Sequence, residues 1–503
     1  MSEILINIDT ASQSIIIENG QDRLSLRKVN DRQYVDAKAG LNIFTILKLS
    51  GSKLRISTAN GGILPLYYRI EANGISFSNY PHLLIRSGDA ITISAQILAS
   101  RLIGASNQLY NPFISIPMLQ DSSVYEFENG QIRYAGSTLH EDDKASYQSI
   151  RDFWIERFRS YAKEDGNICV PLSGGYDSRL NLAMAAHAAE DMSKLVCVHE
   201  YKDDIEQGIA REVADKYDVP LIMVGRNDML EQGKALSLTE DYILKAGLNR
   251  DNVRRWTCHL SNVIASYGDK TRIIGFGAEP HKGKFYRQIE SLDEIPPLFF
   301  TGRRRVKEAV KLIHDGKEKD FHDETLHSLI SQAKQIYTKK SSQIDYVHYF
   351  AYVVDSYGYR SRYFADMHDI DFPQFNHGFL NTVFSLPREE KEAFLLNRRM
   401  MDEFGSPVAN VPYTSANQKS LDKKMSFISK LYKYGKARLG PRQLKGWRDD
   451  VGLRSSKADS VLTTSLLKIL DEKNPLFSRN EIITAYNYFS LLQDKYNVDY
   501  KLI

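Results

Sequence analysis

Short runs of apolar or alternating residues at positions 4–8, 14–17, 43–47, 54–57 and 74–77 are punctuated by Asn19-Gly20, Asn60-Gly61-Gly62, Asn73-Gly74 and Asn129-Gly130. A period of two places alternate side chains on one face of a strand, and Asn-Gly pairs accept the positive φ of tight hairpin turns. Residues 1 to about 140 therefore read as an antiparallel, β-rich unit. From Tyr147 the pattern changes. A helical stretch over Tyr147–Lys163 leads into a wholly apolar run at 168–172, a Gly turn and an Ala-rich helix. Further apolar strands are expected at 194–199, 221–224 and 272–275, with a helix over 204–217 between two of them. Short, fully apolar strands alternating with helices are the signature of a parallel sheet covered on both faces. The remainder reads as largely helical. The expected architecture is an α+β N-terminal β-rich domain over 1–145, an α/β parallel-sheet domain over 146–430, and a basic, helical C-terminal extension over 431–503.

Composition narrows the field. A chain of 503 residues is too long for one ordinary core and fits two or three domains. Cys169, Cys197 and Cys258 are odd in number and far apart, which argues against a disulfide framework or a zinc site. Cys169 and Cys197 sit in apolar strands and read as core. The first residues lack a basic segment followed by an apolar one, and no run of 18 apolar residues occurs, so a cytoplasmic protein without a membrane span is expected. A net charge of +3 is close to balance and does not suggest nucleic acid. The basic, acid-free segment 423–448 and the Arg303-Arg304-Arg305 run read as solvated surface.

The sharpest chemistry lies in Val170-Pro171-Leu172-Ser173-Gly174-Gly175-Tyr176-Asp177-Ser178-Arg179, which follows an apolar strand and opens a helix. Two glycines let amide N–H groups approach an anion, and a helix N-terminus adds its positive dipole end. Ser173 and Ser178 supply hydroxyl donors. Asp177 would repel bare phosphate, so its presence implies an intervening cation, most simply Mg²⁺.

Ser-Gly-Gly-Tyr-Asp-Ser closely resembles the pyrophosphate loop of the N-type ATP pyrophosphatases, in particular the asparagine synthetases and their relatives. The resemblance implies cleavage of ATP between its α and β phosphates, an acyl-adenylate, and attack by an amine. It further implies adenine binding, largely by backbone, near Val198 and His199. Ile273-Ile274-Gly275-Phe276-Gly277-Ala278-Glu279 is similar to the family's Gly-x-Gly-Ala-Asp-Glu segment, which implies a second Mg²⁺ carboxylate at Glu279. The segments 371–376 and Leu386-Pro387-Arg388-Glu389-Glu390-Lys391 resemble its Pro-Phe-Leu-Asp and Leu-Pro-x-x-x-Lys patterns. Val411-Pro412, followed by Asn417-Gln418-Lys419, resembles the segment whose lysine contacts the leaving pyrophosphate, so Lys419 joins Asp177 as a catalytic candidate. The resemblance runs from about residue 40 to about 425.

Departures from the family shape the expected function. Glutamine-using members expose a cysteine after Met removal, whereas this chain starts Met1-Ser2 and has no cysteine before Cys169. The first domain, despite its Gly62-Ile63-Leu64-Pro65-Leu66-Tyr67-Tyr68 segment, is then a degenerate glutaminase-like remnant, and the amine is ammonia or one on a substrate. Phe276 stands where asparagine synthetases have Glu and cyclising relatives have Tyr, so any base lies elsewhere, with His281, Asp369 and Asp371 as candidates. Pro280 replaces an acid after Glu279. The implied activity is an AMP-forming amide ligase taking a small-molecule or peptide carboxylate, as in sugar-uronate amidation or lactam and macrocycle formation. Alternatives are a non-catalytic ATP-binding homologue or a sulfur-inserting, tRNA-modifying relative. Arg179 could reach a phosphate or cap a solvent-facing helix surface. His199 reads as a backbone-satisfied histidine, and Arg360 and Arg362, among Tyr357, Tyr359 and Tyr363, as packing residues on a helix.

Overall fold

A computed structural model describes residues 4–9, 14–19, 22–26, 32–38, 43–50, 53–58, 65–72, 74–103, 112–163, 168–200, 204–224, 239–248, 272–274, 292, 303–313, 321–351, 354, 370–371, 373–413, 460–472 and 479–502. The first portion is built from β1 (Ile4–Asp9), β2 (Ser14–Asn19), β3 (Asp22–Leu26), β4 (Arg32–Lys38), β5 (Ile43–Ser50), β6 (Lys53–Ser57), β7 (Leu66–Glu71) and β8 (Gly74–Ser78). There follow β9 (Ala90–Ile93), α1 (Ala95–Leu102), β10 (Met118–Leu119), β11 (Ser123–Glu128) and β12 (Gln131–Ser137). Two antiparallel sheets result, ordered β10-β7-β8-β1-β2-β3 and β12-β11-β6-β5-β4. In β6 the alternation is plain: Leu54 and Ile56 are buried while Lys53 and Arg55 are exposed, with Lys53 paired to Glu126 across the ladder at 2.9 Å. Leu54, Ile56 and Phe127 of one sheet cluster with Leu66, Ile75 and Phe77 of the other, which makes a layer of sheet on sheet. Asn129 and Gly130 both have positive φ (51° and 72°) and close the β11–β12 hairpin, as the Asn-Gly pair predicts.

The second portion opens with α2 (Tyr147–Lys163). Next come β13 (Ile168–Pro171), α3 (Tyr176–Ala188), β14 (Leu195–Glu200), α4 (Asp204–Lys216) and β15 (Leu221–Val224). After α5 (Glu240–Ala246) lie β16 (Arg272–Ile274), α6 (Arg303–Ile313), α7 (Phe321–Ile336), α8 (Lys340–His348), β17 (Ile370–Asp371), α9 (His377–Ser385) and α10 (Leu395–Phe404). All pairings in the sheet β15-β14-β13-β16-β17 are parallel. Consecutive residues Ile168–Val170 and Leu195–Val198 are buried, so both faces of the central strands are covered, and Cys169 and Cys197 are fully buried there as expected of core residues. Burial pushes the Cys169 thiol up to about 12, so it is an inert apolar side chain rather than a nucleophile.

Residues that join the two portions are pinned by hydrogen bonds. The backbone N–H of His140 donates to Asn381 Oδ1 (3.1 Å), that of Asp142 to Ser385 Oγ (2.7 Å), and that of Thr338 to Glu141 Oε2 (2.9 Å). Near the end of the chain, α11 (Val461–Asp471) and α12 (Arg479–Tyr496) share one hydrophobic cluster with α1, α5 and α6. The last strand, β18 (Asp499–Leu502), pairs in parallel with β9.

Candidate functional site

The order of the parallel sheet fixes where a ligand can sit. β13 comes first in sequence; β14 and β15 are added on one side of it, and β16 and β17 on the other. The winding reverses between β13 and β16. At such a switch point the connections leaving the carboxyl ends of the two strands diverge to opposite faces and open a crevice. Ser173-Gly174-Gly175 leaves the carboxyl end of β13, at this point, and runs straight into α3.

The loop is closed by its own serines. Ser178 Oγ lies 2.9 Å from Ser173 Oγ and accepts from the Ser173 N–H (3.1 Å), while Ser173 Oγ accepts from the Gly175 N–H (3.2 Å). A Cβ on residue 175 would stand 3.1 Å from Ser173 Oγ, tighter than ordinary contact, so any larger residue would press on the hydroxyl that closes the loop. At the base of the loop the Leu172 N–H donates to the Val198 carbonyl (2.7 Å), which ties it to β14. Asp177 lies in the first turn of α3 and is half-buried. Mg²⁺ commonly takes one or two protein carboxylates and draws its other ligands from phosphate and water, and Asp177 is the carboxylate that this loop could offer it.

His199 is buried beside this loop. Its Nδ1 lies 2.9 Å from the Leu172 carbonyl and donates to it, since a carbonyl oxygen can only accept. The expectation of a backbone-satisfied histidine describes half of the ring; Nε2 is buried without a hydrogen-bond partner among the described residues.

Arg179 departs from both alternatives drawn from the sequence. It is 0% exposed and turned inward, where Nη1 donates to the Val411 carbonyl (2.7 Å), and Nη2 donates to the Pro412 carbonyl and, more weakly, to that of Gly174 (3.5 Å). Its guanidinium carbon is 3.9 Å from the centre of the Tyr413 ring. That ring stacks on Tyr176 of the loop at 4.9 Å and 13°. Burial lowers the Arg179 pKa from its ordinary value, opposed by Tyr413. The tyrosines drew no attention as site residues; the available signal was the placement of an aromatic inside the loop motif and another directly after Val411-Pro412.

Lys391, from the Leu-Pro-x-x-x-Lys pattern, is a structural cation. Its ammonium is fully buried and donates to Asp345 Oδ2 (2.6 Å) and to the carbonyls of Val383 (2.9 Å) and Phe384 (3.1 Å) near the end of α9. In the 371–376 segment, Asn376 caps α9, its Oδ1 accepting from the Gly378 and Phe379 N–H groups. Gly275, Phe276, Gly277, Glu279, Pro280, His281, Asp369 and Lys419 lie outside the described residues, as do Cys258, Arg360, Arg362 and 423–448. β16, the strand that leads to Gly275, pairs in parallel with β13, the strand that carries the loop. Among the described residues no cluster of three or more His, Cys, Asp or Glu side chains could hold a metal by itself, and no helix is long and apolar enough to cross a membrane.

No family model matches the chain, and no curated protein matches it. Among solved structures, a glutamine-dependent NAD+ synthetase from Acinetobacter baumannii, in complex with adenosine diphosphate, is similar over 47% of this chain at 14% identity and a TM-score of 0.22. The chain covers 50% of that structure. A likeness this distant carries no argument, and the chemistry of the site rests on the loop and the sheet that places it.

Proposed function

We propose that this chain is an ATP-dependent, AMP- and pyrophosphate-forming amide ligase, which activates a carboxylate as its adenylate and passes the acyl group to an amine. The observation that carries the reading is the Ser-Gly-Gly-Tyr-Asp-Ser loop at the switch point of an all-parallel sheet, closed by Ser173 and Ser178. In this reading the Gly174 amide and the N-terminus of α3 bind the β and γ phosphates as the leaving group. Ser173 and Ser178 donate to their oxygens. Asp177, with Glu279 from the connection after β16, would hold Mg²⁺, which neutralises charge on the departing pyrophosphate. Lys419 stabilises charge that develops on the same group. The substrate carboxylate attacks the α phosphorus, pyrophosphate leaves, and the amine then attacks the acyl carbon and expels AMP.

The carboxylate is a sugar uronate or the acid end of a substrate that closes on its own amine. Phe276 can neither donate nor accept a proton, so the amine loses its proton to a group elsewhere. Phe276 and Pro280 also favour one second reading, a protein that binds ATP without turning it over.

The test is pyrophosphate and AMP release from ATP and Mg²⁺ with ammonia and pooled carboxylic acids, beside Asp177→Ala. Release that the substitution abolishes supports the ligase. Release of ADP and phosphate refutes it. ATP binding without turnover in every pool favours the second reading.

A further inference from the structure

We infer that Arg179 is a positioning residue of this site: with Tyr413 it locks the 411–413 segment onto the phosphate loop and holds the Gly174 carbonyl turned away from the anion. The inference rests on the ligase reading above. An arginine directly after a phosphate loop could be expected to reach for phosphate, but this one is fully buried and its fork is taken by three main-chain carbonyls. One of them belongs to the loop and two to a segment more than 230 residues further on. A carbonyl drawn to a buried cation does not face an anion, and a loop that binds phosphate through N–H groups needs its carbonyls turned away.

The second grip is aromatic. Tyr413 lies against the Arg179 guanidinium (3.9 Å) and stacks on Tyr176 (4.9 Å). Tyr176 and Arg179 flank Asp177 and Ser178 in sequence, so the two residues of the loop that carry the chemistry are held between two contacts with one segment. Burying a cation is costly, and burial does push Arg179 away from its charged form. An apolar side chain would fill the space at less cost. What it could not supply is a planar fork that fixes several carbonyls at set angles and stacks on a ring. A lysine has the charge without that geometry.

The experiment compares wild type, Arg179→Lys and Tyr413→Leu in steady-state pyrophosphate release, and in calorimetric binding of Mg²⁺ with α,β-methylene-ATP, which cannot be cleaved between those phosphates. Thermal denaturation checks that each variant is folded. For Arg179→Lys the expected result is a drop in kcat of about 10²-fold, the scale of a displacement of about 1 Å in an aligned site. Affinity for the analogue should change by less than about threefold, because a group that acts only on alignment in the transition state leaves ground-state binding nearly intact. Tyr413→Leu should show the same split at about tenfold, and it carries the test if Arg179→Lys does not fold. A folded variant with undiminished kcat overturns the inference and leaves the ligase reading standing. Equal losses in kcat and affinity also overturn it, since Arg179 would then act only in nucleotide binding. Wild-type protein that forms no pyrophosphate overturns the ligase reading, and this inference with it.

Discussion

The Lys391–Asp345 pair offers a prediction whose size follows from its geometry. The ammonium is 0% exposed, and its three protons go to Asp345 and to two carbonyls near the end of α9. Lys391→Met takes the cation from a buried carboxylate and the donor from both carbonyls. Removing one partner of a buried pair costs about 3–5 kcal/mol. Asp345→Asn leaves the buried cation without its counter-charge and belongs to the same class. Independent effects would sum to roughly 6–10 kcal/mol in the double variant, but removing the second charge relieves the penalty created by the first. The double variant should therefore lie near about 3–5 kcal/mol, the residue being two carbonyls that lost a donor. It would not return to wild type. Urea denaturation followed by tryptophan fluorescence reads this directly, because Trp154 is buried and stacks on Phe379 of α9 at 5.7 Å. A single variant that costs less than about 1 kcal/mol, or singles that add to within about 0.5 kcal/mol, would refute the reasoning.

Three further outcomes are expected. Ser178→Ala removes the hydroxyl that holds the Ser173 N–H and Oγ, and should weaken Mg²⁺-ATP binding about tenfold, as about 1.4 kcal/mol of lost preorganisation would; unchanged affinity by calorimetry contradicts the loop model. Gly405→Ala should destabilise by about 1–3 kcal/mol in the same urea assay, because its Cβ would meet the Met401 carbonyl oxygen at 2.7 Å, and backbone cannot yield as a side chain can. Burial raises the Glu403 carboxyl, but hydrogen bonds from Tyr147 and Arg151 outweigh it and leave it below the ordinary glutamate range. Its contribution is thus present above about pH 4.3 and lost as pH falls through the lower folded value; Glu403→Gln should flatten that acid limb of the stability curve, and an unchanged limb refutes the assignment.

The parallel sheet was readable because each strand is a short apolar run bounded by helix-period segments. Residues 168–172, 194–199 and 221–224 come out within a residue or two as β13, β14 and β15. Strand order was not readable, since nothing local tells β16 to join β13 on the side away from β14; that choice is made by which helices cover which face. β3, β4, β7 and β9 to β12 were not picked out one by one; in a run such as Arg-Gln-Tyr-Val-Asp-Ala-Lys of β4, too many polar residues hide the alternation. The phosphate loop was legible, as its residue types follow from its chemistry. Arg179 was not: its two principal acceptors are carbonyls on a distant segment, and a backbone acceptor leaves no mark on sequence.

The parallel pairing of β9 with β18, and the cluster that α1 shares with α11 and α12, bear on how the chain is made. A strand near residue 90 waits for a partner near residue 500, so this core cannot close until the distant segment has been made. Long-range closure of this kind is slow. Until α11 and α12 arrive, the apolar face of α1 that they cover stays exposed, and a chaperone would find its natural substrate there.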